Sequence, residues 1–142
     1  MSKLLKHDWS DDTVNWLEED MQQAIIMRMR QRKDHGELFR IVGDMNAAKR
    51  TKALGARLKA AGMQTGETDM RIYMNYATTY FVELKRTGNP ASPEQVSWHL
   101  ILNKFGFDVW IVTARNPDDA VAQMHSLMDE LIERTEQANE DR

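Results

Sequence analysis

The chain has 142 residues, with 19 Lys and Arg against 22 Asp and Glu for a net charge of −3, and no cysteine. The length suffices for one domain with a sizeable core, spanning 1–142 with flexible ends at 1–10 and 134–142, but not for two. The missing cysteine excludes disulfides, thiolate zinc sites and cysteine nucleophiles, and fits a reducing cytoplasm, the expected location. No apolar run approaches the roughly 18 residues of a membrane span, and Met1–Lys6 lacks the apolar core of a signal peptide.

Asp12 or Thr13 is placed to cap a first helix running to about Arg32, in which Leu17, Met21, Ile25 and Met29 recur every four residues as one stripe. From Arg28 to Lys59 the chain holds ten Lys or Arg against three acids, a local charge of +7 in an acidic whole. Such a segment is either a solvated helix face or a surface for phosphates. Its candidate phosphate contacts are Arg40, Lys49, Arg50, Lys52, Arg57 and Lys59. Within it, Leu38–Val42 is β-rich and reads as a strand or an extended connector. Asn46 to Ala61 reads as a helix closed by Gly62.

The period then changes to two. Asp69–Met74 and Thr79–Lys85 are predicted strands joined by an Asn75–Thr78 hairpin turn. Ser92-Pro93-Glu94-Gln95 carries a cap serine, a first-turn proline and a glutamine three after the cap, which together start a helix. That helix sets Trp98, Ile101, Leu102 and Phe105 on its expected core stripe and stops at Gly106. Phe107–Thr113 is a third strand, reached by a right-handed crossover that makes it parallel to the strand ending at Lys85. Asn116 or Asp118 opens a last helix with Ala120, Val121, Met124, Leu127, Met128 and Leu131 on one stripe, and a charged tail after Glu133 that is expected to fray. The expected fold is α/β, a three- or four-stranded mixed sheet with helices against it.

The chemistry concentrates on Asp69, Glu83 and Lys85. Residues two apart on a strand point to one face, so Glu83 and Lys85 share a face while Val82 and Leu84 turn to the core. Asp69 opens the neighbouring strand, in a register the sequence does not reveal. Two close carboxylates repel, and one is driven to a higher pKa unless a cation intervenes. Magnesium suits such a set, with the Leu84 carbonyl as a further oxygen ligand. The cation would activate water and polarise a phosphoryl oxygen. Lys85 would orient or deprotonate that water, or stabilise transition-state charge. A Glu-x-Lys on a solvated strand edge is the inert alternative. Gln95 has a capping role of its own. His99, four residues on, shares its helical face, while His7, His35 and His125 have no ligand spacing. Trp98 and Trp110 read as core, Tyr76 as a hairpin-tip residue able to stack on a base, and the methionines as core filler. No phosphate-binding glycine loop is present, so ATP use is not expected.

Gly66-Glu67-Thr68-Asp69, Phe81-Val82-Glu83-Leu84-Lys85, Ser92-Pro93-Glu94-Gln95 and Gly106-Phe107-Asp108-Val109-Trp110-Ile111-Val112 resemble, in order and spacing, the virus-type replication-repair nuclease (VRR-NUC) domain of the PD-(D/E)xK superfamily. Glu18 and Gln22 match the family's first-helix Glu and Gln, and the likeness spans nearly the whole chain. Thr68 departs from the usual proline before the aspartate, and Ala91 from the usual leucine. The resemblance implies a restriction-endonuclease-like core in which Asp69, Glu83 and Glu18 bind Mg²⁺ or Mn²⁺, with Glu19 a rival of Glu18. Lys85 would be the catalytic lysine and Gln95 the site's support. It implies a phage-type, stand-alone DNA endonuclease cutting branched DNA such as four-way junctions as a homodimer, in the host cytoplasm. Two rivals remain at the level of sequence: a catalytically silent nuclease fold that binds DNA or a replication or recombination partner, and an acidic adaptor acting through its charged termini.

Overall fold

The structure is a computed structural model and describes residues 2–44, 51–64 and 66–142. Nine elements follow in chain order: α1 (Lys3–Lys6), α2 (Glu18–Arg30), β1 (Phe39–Gly43), α3 (Lys52–Ala60), β2 (Met70–Met74), β3 (Thr78–Arg86), α4 (Pro93–Lys104), β4 (Asp108–Ala114) and α5 (Pro117–Glu140). The four strands form one mixed sheet in the order β1-β2-β3-β4. β1, β2 and β3 are antiparallel neighbours, and β4 joins β3 in parallel, with Glu83 beside Ile111 and Lys85 beside Thr113.

Alternation along the strands builds the main core. Ile41, Ile72, Val82, Leu84 and Val112 turn to one face, where Met21, Ile25 and Met29 of α2 and Met124, Met128 and Leu131 of α5 cover them. α4 lies on the opposite face. Strand β3 is therefore covered on both sides, and six consecutive residues, Tyr80 to Lys85, are buried. A strand covered in this way reads as continuously buried rather than alternating.

Four elements differ from their sequence expectation. α2 starts at Glu18, not near Asp12, because Asp8 and Asp11 spend their carboxylates on Asx-type turns: Asp8 accepts from the Ser10 amide and Asp11 from the Thr13 amide, both at 2.9 Å. Such local bonds compete with helix. The helix is capped instead by Asp20, which reaches back to the Leu17 amide at 2.9 Å. α3 starts at Lys52, because Thr51 is extended and its hydroxyl caps the helix by accepting from the Leu54 amide at 3.1 Å, and the expected helix residues Asn46 to Arg50 lie outside the described residues. α4 turns His99 and Leu102 inward, leaves Trp98 half-buried and exposes Phe105 at 67%. Apolar residues occur on several sides of this helix, so their spacing does not choose the inward face. α5 continues past Glu133 to Glu140, held by buried Thr135, whose hydroxyl lies 3.2 Å from that of Tyr80. Near the same end, Tyr76 of the hairpin turn donates to Glu136 at 3.2 Å.

The caps elsewhere are as expected: Ser92 accepts from the Gln95 amide, and Asn116 from the Asp119 amide. Removing core bulk should separate the two faces of α4. Leu102→Ala should cost about 2–4 kcal/mol of stability in urea denaturation, while Phe105→Ala should stay within about 0.5 kcal/mol of wild type.

Candidate active site

Asp69 stands immediately before β2, and β2 pairs with β3 from Met70 opposite Val82. One further step of that register sets Asp69 across from Glu83. The ladder ends there, and the Leu84 amide, which lies beyond it, donates to Asp69 Oδ2 at 2.7 Å. The backbone of Asp69 is clamped as well. Its carbonyl accepts from the Asp44 amide at 2.7 Å and from Gln22 Nε2 at 3.4 Å. Gln22 leaves no room beside Gly43, where a Cβ would sit 2.7 Å from its Nε2.

The approach to Asp69 is fixed by neighbours rather than by a proline. Thr68 is buried, and both its amide (2.9 Å) and its hydroxyl (3.1 Å) donate to Glu67 Oε1. A proline would have no amide to satisfy; threonine has one, and Glu67 takes it. Gly66 has φ +90°, and a Cβ there would lie 2.7 Å from the backbone of Glu94. Only glycine allows the loop this close to the start of α4.

Glu83 is fully buried. Its Oε1 accepts from Gln95 Nε2 at 2.5 Å and lies 3.9 Å from Lys85 Nζ. Among the described residues its Oε2 has no hydrogen-bond partner, and His99 Nε2 stands 3.5 Å away without forming one. Glu18, the first residue of α2, accepts from the Arg86 amide and from Asn89 Nδ2, each at 3.3 Å. Along a strand, the N–H and C=O of alternate residues point to the same edge. The Leu84 carbonyl therefore lies on the edge that carries the Leu84 and Arg86 amides, between the carboxylates of Asp69 and Glu18. Arg86 in turn fastens this end of β3 to the loop before α2 through Asn15 (3.0 Å) and the Trp16 carbonyl (3.2 Å).

The electrostatics follow from burial. Asp69 and Glu83 are both held well above the ordinary carboxylate range, first by desolvation. Glu83 is raised further by the adjacent Asp69 carboxylate, and Glu18 adds to both; Lys85 pulls each the other way. His99 is lowered by burial and by Lys85, which keeps its imidazole neutral at ordinary pH.

This donor set fits a hard divalent cation. Two buried carboxylates oppose each other's ionisation, and one carboxylate oxygen has no partner. A cation beside them would relieve both penalties. Asp69, Glu83, the Leu84 carbonyl and Glu18 are the residues that would hold one, although among the described residues no group of three or more His, Asp or Glu forms a metal-holding cluster.

No protein-family model matches the sequence, and no curated protein is similar to it. A solved structure described as a VRR_NUC domain protein superposes on this one with a TM-score of 0.50 and 20% sequence identity, over 80% of this chain and 89% of that chain. The chain shares its fold with that VRR_NUC domain protein. Its sheet and helices are thus those of a restriction-endonuclease-like core, as the sequence resemblance implied.

Within this VRR_NUC fold the predicted site residues separate into two groups. Asp69, Glu83, Lys85, Gln95 and Glu18 are brought together, and Glu18 rather than Glu19 is the helix acid whose charge reaches Asp69 and Glu83. The basic segment is less uniform. Arg40 on β1 and Lys52, Arg57 and Lys59 on α3 are exposed, and Lys49 and Arg50 lie outside the described residues. Arg28, Arg30 and Arg32 serve the fold instead: Arg28 stacks over Trp9, Arg30 donates to the Ile41 carbonyl, and Arg32 pairs with Asp34 and Asp129. Sequence reading missed Glu67 and Asn89, both of which act through hydrogen bonds that no spacing announces.

Protonation of the buried pair sets a sign. A carboxyl with a raised folded pKa binds extra protons in the folded state, so its contribution to stability is lost as pH rises through that value. For Glu83 the window runs from 4.5 to about 9. Metal-free protein should therefore melt lower at pH 9 than at pH 6. Glu83→Gln should flatten that dependence and melt several degrees above wild type at pH 9, as calorimetry in EDTA would show.

Proposed function

We propose that this protein is a divalent-metal-dependent DNA endonuclease of the VRR-NUC type. The observation that carries the reading is the convergence of Asp69, Glu83, Lys85 and Gln95, which come from the approach to β2, from β3 and from α4 to one buried point at the end of the β2–β3 ladder. The likeness in fold to a VRR_NUC domain protein supports it.

In this reading Asp69, Glu83, the Leu84 carbonyl and Glu18 hold Mg²⁺ or Mn²⁺. When bound, the ion supplies Lewis-acid polarisation of the phosphoryl oxygen and a water of lowered pKa. Gln95 fixes Glu83 through Oε1. The Leu84 amide fixes Asp69 through Oδ2, so neither carboxylate has to reorganise on binding. Lys85 is 9% exposed and has Glu83 Oε1 at 3.9 Å. Its ammonium orients the attacking water or takes up charge on the phosphoryl oxygens, in a pocket where screening by solvent is weak. Arg40, Lys52, Arg57 and Lys59, with Lys49 and Arg50, supply the cationic surface for the DNA backbone, which carries affinity but no base specificity.

We extend the proposal to a phage-type enzyme that works without ATP in the host cytoplasm on branched DNA. A two-fold homodimer would present two such sites to a symmetric junction.

Incubating the protein with four-way-junction and linear DNA in Mg²⁺ or Mn²⁺ tests the reading. Wild type should cut, and the junction faster. Lys85→Ala and Asp69→Ala should each lower the rate roughly 10²–10³-fold or more. Lys85→Ala should still bind Mn²⁺ and DNA. A wild type that binds DNA and cuts neither substrate would mark a silent nuclease fold instead.

A further inference from the structure

α4 presents two polar side chains one turn apart, Gln95 and His99, to the two oxygens of one buried carboxylate. Gln95 Nε2 donates to Glu83 Oε1 at 2.5 Å. His99 Nε2 faces Oε2 at 3.5 Å, and among the described residues neither of these two buried atoms has a hydrogen-bond partner. Buried polar atoms in native proteins are nearly always paired, because an orphan loses its hydration and regains no bond. Two orphans of complementary chemistry that face each other become a hydrogen bond after a shift of about half an ångström, into the ordinary range near 3 Å. A residue of α4 present only to fill space beneath the helix would be apolar, as Leu102 is one turn further on.

The imidazole offers the donor that Oε2 lacks, since a neutral ring carries one N–H and a protonated ring two. The charged and titratable groups around it are Glu83, Lys85 and Glu67.

We infer that His99 is a positioning residue for metal binding, which donates from Nε2 to Glu83 Oε2 and, with Gln95, holds that carboxylate in a single orientation toward the cation. The role rests on the metal-site reading above. It assigns His99 no contact with substrate.

The test is Mn²⁺ affinity measured by calorimetry and by electron paramagnetic resonance of the free ion, for wild type, His99→Leu, His99→Met and His99→Gln. Thermal melts in EDTA establish that each variant is folded. His99→Leu and His99→Met should bind Mn²⁺ roughly 10–100-fold more weakly, while their metal-free melting points stay at or above that of wild type. His99→Gln, which offers an N–H at similar reach, should recover most of the affinity. Folded apolar variants that bind Mn²⁺ as tightly as wild type would overturn the role of His99 alone, as would a His99→Gln no better than His99→Leu. Absence of Mn²⁺ binding by wild type would overturn the metal site itself, and the role of His99 with it.

Discussion

The structure turns on one electrostatic conflict. Glu83 sits in the middle of β3, fully buried, with the carboxylate of Asp69 beside it. A carboxylate taken out of water loses hydration worth several kcal/mol, and a second one adds repulsion. The surrounding elements are arranged to manage that cost. α4 contributes the Gln95 donor, β3 the Leu84 amide and the Lys85 ammonium, and the end of β2 sets the separation of the two acids. In the metal-binding reading proposed above, a divalent cation would offset the negative charge that remains.

The apolar core makes that arrangement rigid. β3 carries core side chains on one face and the site on the other, so Val82 and Leu84 anchor the same backbone that aims Glu83 and Lys85. α2 does two jobs in the same way. Met21, Ile25 and Met29 pack into the core, while Glu18 and Gln22, on its first turns, reach the Arg86 amide and the Asp69 carbonyl. A displacement of α2 against the sheet would therefore move both ends of the site. Gly66 adds a third tie by letting the Asp69 approach touch the start of α4.

Much of the fold is legible in the residues. The switch from a period near four to a period of two marks the hairpin, Ser92-Pro93 and Asn116-Pro117 mark helix starts, and the stripe from Ala120 to Leu131 is buried as its spacing requires. The failures share a cause. The Asx turns of Asp8 and Asp11, the inward face of α4 and the helical run to Glu140 each depend on which of several locally acceptable bonds a distant partner rewards. Trp16 holds the turns by donating to the Asp11 carbonyl, Glu83 selects His99 over Trp98, and Tyr80 holds Thr135. The basic segment shows the same limit, since counting charges does not reveal that Arg32 is spent on Asp34 and Asp129.

The sequence by itself determined the chemical inventory: which oxygens and which ammonium a site could use, that Glu83 and Lys85 share a face, and the order in which the elements follow. Those facts are local, set by covalent spacing and strand alternation. Only the tertiary structure decided the register that brings Asp69 opposite Glu83, the choice of Glu18 over Glu19, the use of Glu67 where a proline was expected, and the meeting of His99 with an unpartnered carboxylate oxygen. Apart from the Glu67–Thr68 bond between neighbours, each of these is a contact between segments separated in the chain. Its free energy comes from burial and from pairing polar atoms that water no longer reaches, and neither is present until the sheet and its helices close around them.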